Sequence, residues 1–282
     1  MKVGVFLCME PYTGLENNLR LAKEAGFDCA DITDTHSCGS MFASCDLSMS
    51  VSLDGNPFDV KRTFEKYGME IMTLSAHATL LEPSNPANYA TAEIMKAIKF
   101  AAAIGIRDVV TTESFARSEW AKNLTYDQKV FIAAEKLYEP CRMAADYGVH
   151  LIFEPHGPLT DSIEGIGDVM ELLGNPESLG VNLDTGNSWL GGSDPVELAK
   201  KYHDKIYHIH WKDLGEEWLP ERGKRFGCGF ATNQIGTGCI DIKGVIDVLK
   251  DRKEIRYSTL EVAGPPEMLR ASAEYITNLW NS

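Results

Sequence analysis

The chain has 282 residues, and its 44% hydrophobic content is enough to bury a substantial core. Its 41 acidic and 27 basic residues give a formal net charge of −14, which repels nucleic acid and anionic membrane surfaces at long range. The seven cysteines include no C-x-x-C pair, and no apolar run has the length of a signal or membrane-spanning segment. We therefore expect a cytoplasmic protein, with neither nucleic acid nor a membrane as its partner.

Short runs rich in β-branched residues alternate with longer helical patterns along the whole chain. In chain order, the predicted strands are Lys2–Leu7, Cys29–Thr33, Glu70–Leu74, Asp108–Thr112, His150–Phe153, Gly180–Leu183, Ile206–Trp211 and Tyr257–Val262. The predicted helices between them include Leu15–Ala25, Ala90–Ala103, Gln128–Tyr147 and Pro195–Tyr202. Several helices end at a glycine that leads directly into the next strand, as at Gly26 and Gly148.

The eight βα units predict an α/β fold, a single (β/α)8 TIM barrel domain over residues 1–282, with an open doubly wound sheet as the structural alternative. Three connections that follow predicted strands are long, at about residues 36–57, 114–126 and 214–240. Loops after barrel strands form the active-site face, so we expect these three at the mouth of the barrel. The third is rich in Gly, Trp and Arg and indicates a lid, or a surface for a homo-oligomer or a partner subunit.

The fifth to eighth predicted strands each end in a side chain that can bind a divalent metal ion. These side chains are Glu154, Asp184, His210 and Glu261. Neighbouring strands of a parallel barrel follow one another in sequence, so the four side chains are expected to share one quarter of the mouth. Three carboxylates and an imidazole favour one divalent ion, Mn²⁺ first and Mg²⁺, Co²⁺ or Zn²⁺ as alternatives. Separate capping or ion-pairing roles are the other interpretation, although burying several carboxylates without a cation is costly.

The chain resembles the sugar phosphate isomerase/epimerase family with the xylose isomerase-like barrel. The motifs that carry the resemblance are Glu-Pro-His-Gly after the fifth strand, Asp-Thr-Gly-Asn after the sixth and His-Ile-His-Trp-Lys-Asp in the seventh. The family includes ketose 3-epimerases, hydroxypyruvate isomerases, inosose dehydratases and an endonuclease branch. The resemblance implies that the four strand-end residues are the metal ligands, and that Glu154 and Glu261 are also the acid/base pair. The ketose epimerases have histidine where this chain has Asn187 and arginine where it has Glu216, so the substrate stays open.

This predicted site indicates a metal-dependent isomerase or epimerase acting on a sugar or a sugar-derived carbonyl compound. A metal ion bound to a carbonyl and its neighbouring hydroxyl stabilises the enediolate that forms on proton loss, and two carboxylates on opposite faces can remove and return the proton. A lyase acting on a keto-sugar or 3-keto-glycoside, of the dehydratase or C-deglycosidase type, shares this first step and is the alternative. A non-catalytic sugar-binding subunit is a second alternative, whereas the net charge of −14 disfavours a DNA repair nuclease.

Further polar and aromatic side chains near the predicted strand ends are candidates for contact with the substrate. His156, two residues after Glu154, is a candidate acid or base. The candidate substrate-binding residues are His77, Glu113, Asn187, Lys212 and Trp211. His36 and Glu10 are weaker candidates, because many polar groups at a barrel mouth take no part in the reaction. His208 shares a strand face with His210, and it is either an inward-pointing residue below the metal or a satisfied histidine of the barrel.

Overall fold

A computed structural model describes residues 1–7, 9–10, 13–34, 50–83, 89–114, 116, 118–227, 231 and 233–282. Its strands are β1 Lys2–Phe6, β2 Cys29–Asp34, β3 Ser50–Val51, β4 Glu70–Ser75, β5 Asp108–Thr111, β6 His150–Phe153, β7 Leu179–Asp184, β8 Ile206–Trp211 and β9 Tyr257–Leu260. All of their pairings are parallel, and β1 pairs with both β2 and β9, which closes the sheet into a barrel. The two residues of β3 pair with β2 beside this ring. The predicted TIM barrel and its eight strands are therefore confirmed, and β3 is an addition that the sequence did not indicate.

Helices connect successive barrel strands and cover the outside of the barrel. They are α1 Leu15–Glu24, α2 Pro57–Lys66, α3 Tyr89–Ile104, α4 Glu119–Lys122, α5 Tyr126–Tyr147, α6 Ile163–Leu172, α7 Thr185–Gly191, α8 Pro195–Lys201, α9 Ile242–Leu249 and α10 Pro266–Trp280, with 3₁₀ turns at His203–Lys205 and Glu216–Glu221. Local sequence fixes their ends: a capping box between Thr125 and Gln128 precedes α5, and Gly148, whose φ of 66° suits glycine, caps its C-terminus. No helix in these described ranges combines the length and apolarity that a bilayer crossing requires.

The apolar core lies between the barrel and its helices, where Leu19, Ile98, Leu137 and Ile246 are completely buried. The inner face of the barrel is more polar near its mouth. Register pairs Asn182 with His208, Asp184 with His210, and His210 with Thr259. Side chains from β7, β8 and β9 therefore point inward at matching levels, and this alignment positions the candidate site.

The predicted long connections follow the carboxyl ends of β2, β5 and β8. The first is described only from residue 50, so His36 lies outside the described residues. The second contains α4, and the third contains the 3₁₀ turn Glu216–Glu221. In the third, Phe226 is 42% exposed, while Trp218 packs against the core. The predicted roles of this loop as a lid or an association surface remain predictions, as does the single-domain organisation of residues 1–282.

Candidate metal centre

The four predicted metal ligands lie at the carboxyl ends of consecutive strands. Glu154 follows β6, Asp184 is the last residue of β7, His210 is the penultimate residue of β8, and Glu261 follows β9. Each of these residues is at most 7% exposed. The structure therefore brings the four side chains together in a buried cluster at the mouth of the barrel.

The imidazole of His210 lies at the centre of this cluster. Its Nδ1 atom is 2.9 Å from Glu154 Oε1, 2.9 Å from Glu261 Oε1 and 3.9 Å from Asp184 Oδ2. One ligand atom from each residue lies within 4.8 Å of the others. Three carboxylate oxygens thus converge on one imidazole nitrogen, as the coordination of a single cation requires.

The charges of this cluster fit a divalent cation. Burial raises the pKa of Asp184 to about 7, because a charge there has lost its contact with water. Burial acts in the same direction on Glu154, but His210 and His77 hold its pKa well below the usual range. His77 Nε2 faces the buried Glu154 Oε2, but without the alignment of a hydrogen bond. Buried carboxylates gathered in this way match the oxygen-rich ligand sets that bind Mn²⁺, Mg²⁺ and related ions.

Lys212 supplies a second positive charge beside the cluster. Its side chain is completely buried, and its Nζ donates a hydrogen bond to Asp184 Oδ2 and forms an ion pair with Glu261 Oε2. Asn187 Oδ1 lies 3.4 Å from the same ammonium group. The structure therefore places both of these predicted substrate-binding residues next to the candidate ligands.

Two more of the predicted residues are histidines on the other side of Glu154. His77 Nε2 is 2.7 Å from Glu154 Oε2, and His156 Nε2 is 3.8 Å from Glu154 Oε1. The two rings lie 5.3 Å apart. Burial lowers the pKa of His156 to about 4, so this imidazole is neutral at pH 7. A charged carboxylate and a neutral imidazole therefore lie side by side at the mouth.

Glu113 and Trp211 occupy different surroundings. Glu113 Oε1 accepts hydrogen bonds from the backbone N–H groups of Leu159 at 2.6 Å and Thr160 at 3.0 Å, so it supports the loop that carries His156. Trp211 is completely buried in the hydrophobic core. Side chains alternate along a strand, and Trp211 follows the inward-pointing His210, so the structure does not bring Trp211 into the cluster.

Sequence reasoning missed the buried carboxylates Asp31 and Asp161. Asp31, on β2, lies 3.4 Å from His210 Nε2, and an acidic residue in the middle of a buried strand was the signal that could have revealed it. Asp161 is 4% exposed, and neither of its carboxylate oxygens has a hydrogen-bond donor among the described atoms. Burial raises the pKa of Asp161 well above its usual value.

The xylose isomerase-like TIM barrel family matches residues 19–279, and the chain belongs to this family, as its sequence motifs predicted. An inosose dehydratase from Halalkalibacterium halodurans is 28% identical over 155 residues, 50% of each chain. The inosose dehydratase of Geobacillus kaustophilus is 29% identical over 157 residues, 51% of this chain and 50% of that one. The chain therefore spans about half the length of these curated relatives.

Solved structures share the complete fold. A zinc-bound IolI protein superposes with a TM-score of 0.74 and 17% identity, and the match covers 100% of this chain and 98% of that one. A D-tagatose 3-epimerase-like protein superposes with a TM-score of 0.75 and 19% identity, covering 100% and 97% of the two chains. At these identities, the likeness establishes the architecture.

Proposed function

We propose that this chain is a divalent-metal-dependent lyase, a dehydratase that removes water from a polyhydroxylated carbonyl compound such as a keto-sugar. The observation that carries the proposal is the convergence of Glu154, Asp184 and Glu261 on Nδ1 of His210. Two relatives named inosose dehydratases favour elimination over the isomerase or epimerase reaction that the sequence first indicated. The proposed setting is cytoplasmic, and the proposed substrate is a small carbohydrate-like molecule.

The proposed metal ligands are Glu154, Asp184, His210 and Glu261. A divalent ion held by them would supply a Lewis acid that polarises the substrate carbonyl and stabilises the charge left by proton removal. Mn²⁺ is our first choice because most of the donor atoms are carboxylate oxygens, and the zinc of the IolI structure makes Zn²⁺ the next ion to test.

The proposed proton acceptor is one of two glutamates on different sides of the cluster. Neighbouring positive groups outweigh burial and hold the pKa values of Glu154 and Glu261 below their usual range, so both are charged at neutral pH and can accept a proton. The electron pair of the broken C–H bond forms the new double bond as the C–O bond to the departing hydroxyl breaks. Lys212, paired with Glu261, is the proposed donor of the proton with which that hydroxyl leaves as water.

An epimerase or isomerase is the second candidate. Glu154 and Glu261 come from opposite ends of the β6–β9 arc, and each lies 2.9 Å from His210 Nδ1. Two bases on different sides of one centre can remove a proton from one face of a carbon and return it to the other. The non-catalytic sugar-binding subunit would use the same cluster only to hold its ligand.

One experiment separates these candidates. The protein with Mn²⁺ is incubated in D₂O with a panel of inososes, ketoses and 3-keto-glycosides, and the mixtures are followed by NMR and by ultraviolet absorbance. A dehydratase gives an unsaturated or deoxygenated carbonyl product with loss of water. An epimerase or isomerase gives an isomer that carries deuterium at the α-carbon. Absence of both a dehydrated product and deuterium exchange across the panel would contradict both enzyme functions.

We expect Glu154→Gln and Glu261→Gln each to slow turnover of the active substrate by at least about 10²-fold, because an amide cannot accept the substrate proton. Initial rates at saturating Mn²⁺ provide the measurement. Glu24→Gln is the matched control, because Glu24 pairs with Arg20 on the exposed surface of α1. Full activity in both site variants would remove the acid/base assignment.

A further inference from the structure

Asp31 lies next to the candidate metal centre, beside the nitrogen of His210 that does not face the cluster. It is completely buried on β2, and its Oδ2 atom is 3.4 Å from His210 Nε2 and 3.6 Å from His208 Nε2. The other nitrogen of His210, Nδ1, faces the three carboxylates of the cluster. His210 therefore has the candidate cation site on one side of its ring and a buried carboxylate on the other.

Neighbouring donors fix the Asp31 carboxylate in this place. Its Oδ1 accepts a hydrogen bond of 3.0 Å from the backbone N–H of Thr73, and its Oδ2 accepts one from the hydroxyl of Thr259. These two donors hold the carboxylate beside His210.

Two other rings pack edge-on against the ring of His210. Phe6 meets it edge-on at 6.4 Å with an interplanar angle of 85°, and His208 meets it at 5.4 Å and 88°. Replacing the charge of Asp31 with an amide of the same shape leaves these contacts in place. The effect of the charge on His210 can thus be measured separately from the packing of the ring.

An imidazole that binds a cation through one nitrogen carries its proton on the other, and an acceptor beside that second nitrogen fixes the tautomer. We propose that Asp31 is a positioning residue that keeps the proton of His210 on Nε2 and thereby presents the lone pair of Nδ1 to the cation. The inference rests on the proposed metal site, but it concerns the affinity for the ion and needs no knowledge of the substrate.

The test is metal binding by Asp31→Asn. An asparagine amide can donate a hydrogen bond to Nε2 and so favour the tautomer of His210 that carries its proton on Nδ1. In that tautomer Nδ1 has no free lone pair and cannot bind the metal ion. We expect Co²⁺ to bind about 10- to 100-fold more weakly in titration calorimetry, and the visible absorption bands of bound Co²⁺ to change because the imidazole ligand is altered. Two-bond ¹H–¹⁵N spectra of the Zn²⁺-loaded protein should show a proton on Nε2 of His210 in the unsubstituted protein, and a smaller population of that tautomer in Asp31→Asn.

The matched control is Thr33→Val, on the same strand and equally buried, whose hydroxyl donates to the backbone carbonyl of Ser75. It should lose stability without changing the affinity or spectrum of Co²⁺. Thr259→Val, which removes the hydroxyl bound to Asp31, should weaken Co²⁺ binding by a smaller factor, and it serves if Asp31→Asn fails to fold.

Two failures are distinguishable. If the unsubstituted protein binds no divalent ion, both the proposed metal site and the role of Asp31 are wrong. If it binds Co²⁺ and the variants at Asp31 and Thr259 bind it with the same affinity and spectrum, the metal site stands and only the positioning role is overturned.

Discussion

Individual titratable residues at the barrel mouth differ in charge because burial and partners act on them differently. Burial lowers the pKa of His156 to about 4 and leaves its imidazole neutral. Burial also opposes ionisation of Glu261, but Lys212 and His210 outweigh it and lower the pKa of that carboxyl. Charged carboxylates and a neutral imidazole therefore lie close together at the mouth of the barrel, and acid and base roles at one pH require this combination.

His156 makes the metal-free protein sensitive to acid. The pKa of His156 is about 4 in the folded chain and about 6.5 in the unfolded chain, so the unfolded chain takes up the proton first as the pH falls. Its contribution to the free energy of unfolding is therefore fully present above pH 6.5 and is lost as the pH falls towards 4. Between pH 7 and pH 5 protonation of this single group should lower the free energy of unfolding by about 2 kcal/mol. Urea unfolding with a chelator present should therefore show a smaller loss in His156→Gln. The two proteins should show the same change between pH 7 and pH 8, and equal losses between pH 7 and pH 5 would contradict the assignment.

Asp184 joins two elements, because it ends β7 and is also the N-cap of α7. Its Oδ1 accepts a hydrogen bond of 2.8 Å from the backbone N–H of Asn187, while its Oδ2 faces Lys212 and the cluster. The strand places the residue at the mouth of the barrel, and a backbone N–H in the first turn of the helix binds one of its carboxylate oxygens. Capping therefore fixes the direction in which the other oxygen points.

The two roles of Asp184 are separable by substitution. Asparagine is as good an N-cap as aspartate, so Asp184→Asn should keep the cap and lose metal affinity, whereas Asp184→Ala should lose both. In a chelator, the free energy of unfolding of Asp184→Ala should be lower than that of Asp184→Asn by about 1 kcal/mol. Urea unfolding and Mn²⁺ titration of the two variants provide the measurements. Equal stability would show that the cap contributes nothing at this strand-to-helix junction.

The elements also show what the sequence could and could not predict. Short runs rich in β-branched and apolar residues predicted the barrel strands, and the polar residues that end these runs predicted the positions of Glu154 and Glu261, because both signals are local. Asp184 lies directly opposite His210 only because the register between β7 and β8 shifts at Val181 and Asn182. The sequence of neither strand alone reveals this shift. Contacts between distant strands, such as that of Asp31 with His210, were invisible for the same reason.

At the scale of the whole molecule, closure of the barrel brings together charged residues that are far apart in the sequence. Glu154, Asp184 and Glu261 are buried together, and the cations beside them are His210 and Lys212. The chain as a whole has no surplus of basic residues to balance them, since its formal net charge is −14. The free energy of unfolding should therefore depend strongly on Lys212 when no metal ion is bound. It should depend on Lys212 less when a metal ion is bound.

Lys212→Met tests this dependence. In a chelator, the variant should lose about 3–5 kcal/mol of unfolding free energy, because Asp184 and Glu261 stay buried without their ammonium partner. Mn²⁺ binds only the folded state and should raise the Tm of the variant more than that of the unsubstituted protein, because the ion replaces the missing charge. Lys243→Met, at an exposed pair with Asp247, should behave like the unsubstituted protein. If Mn²⁺ raised all three Tm values equally, the ammonium group and the ion would not share these carboxylates.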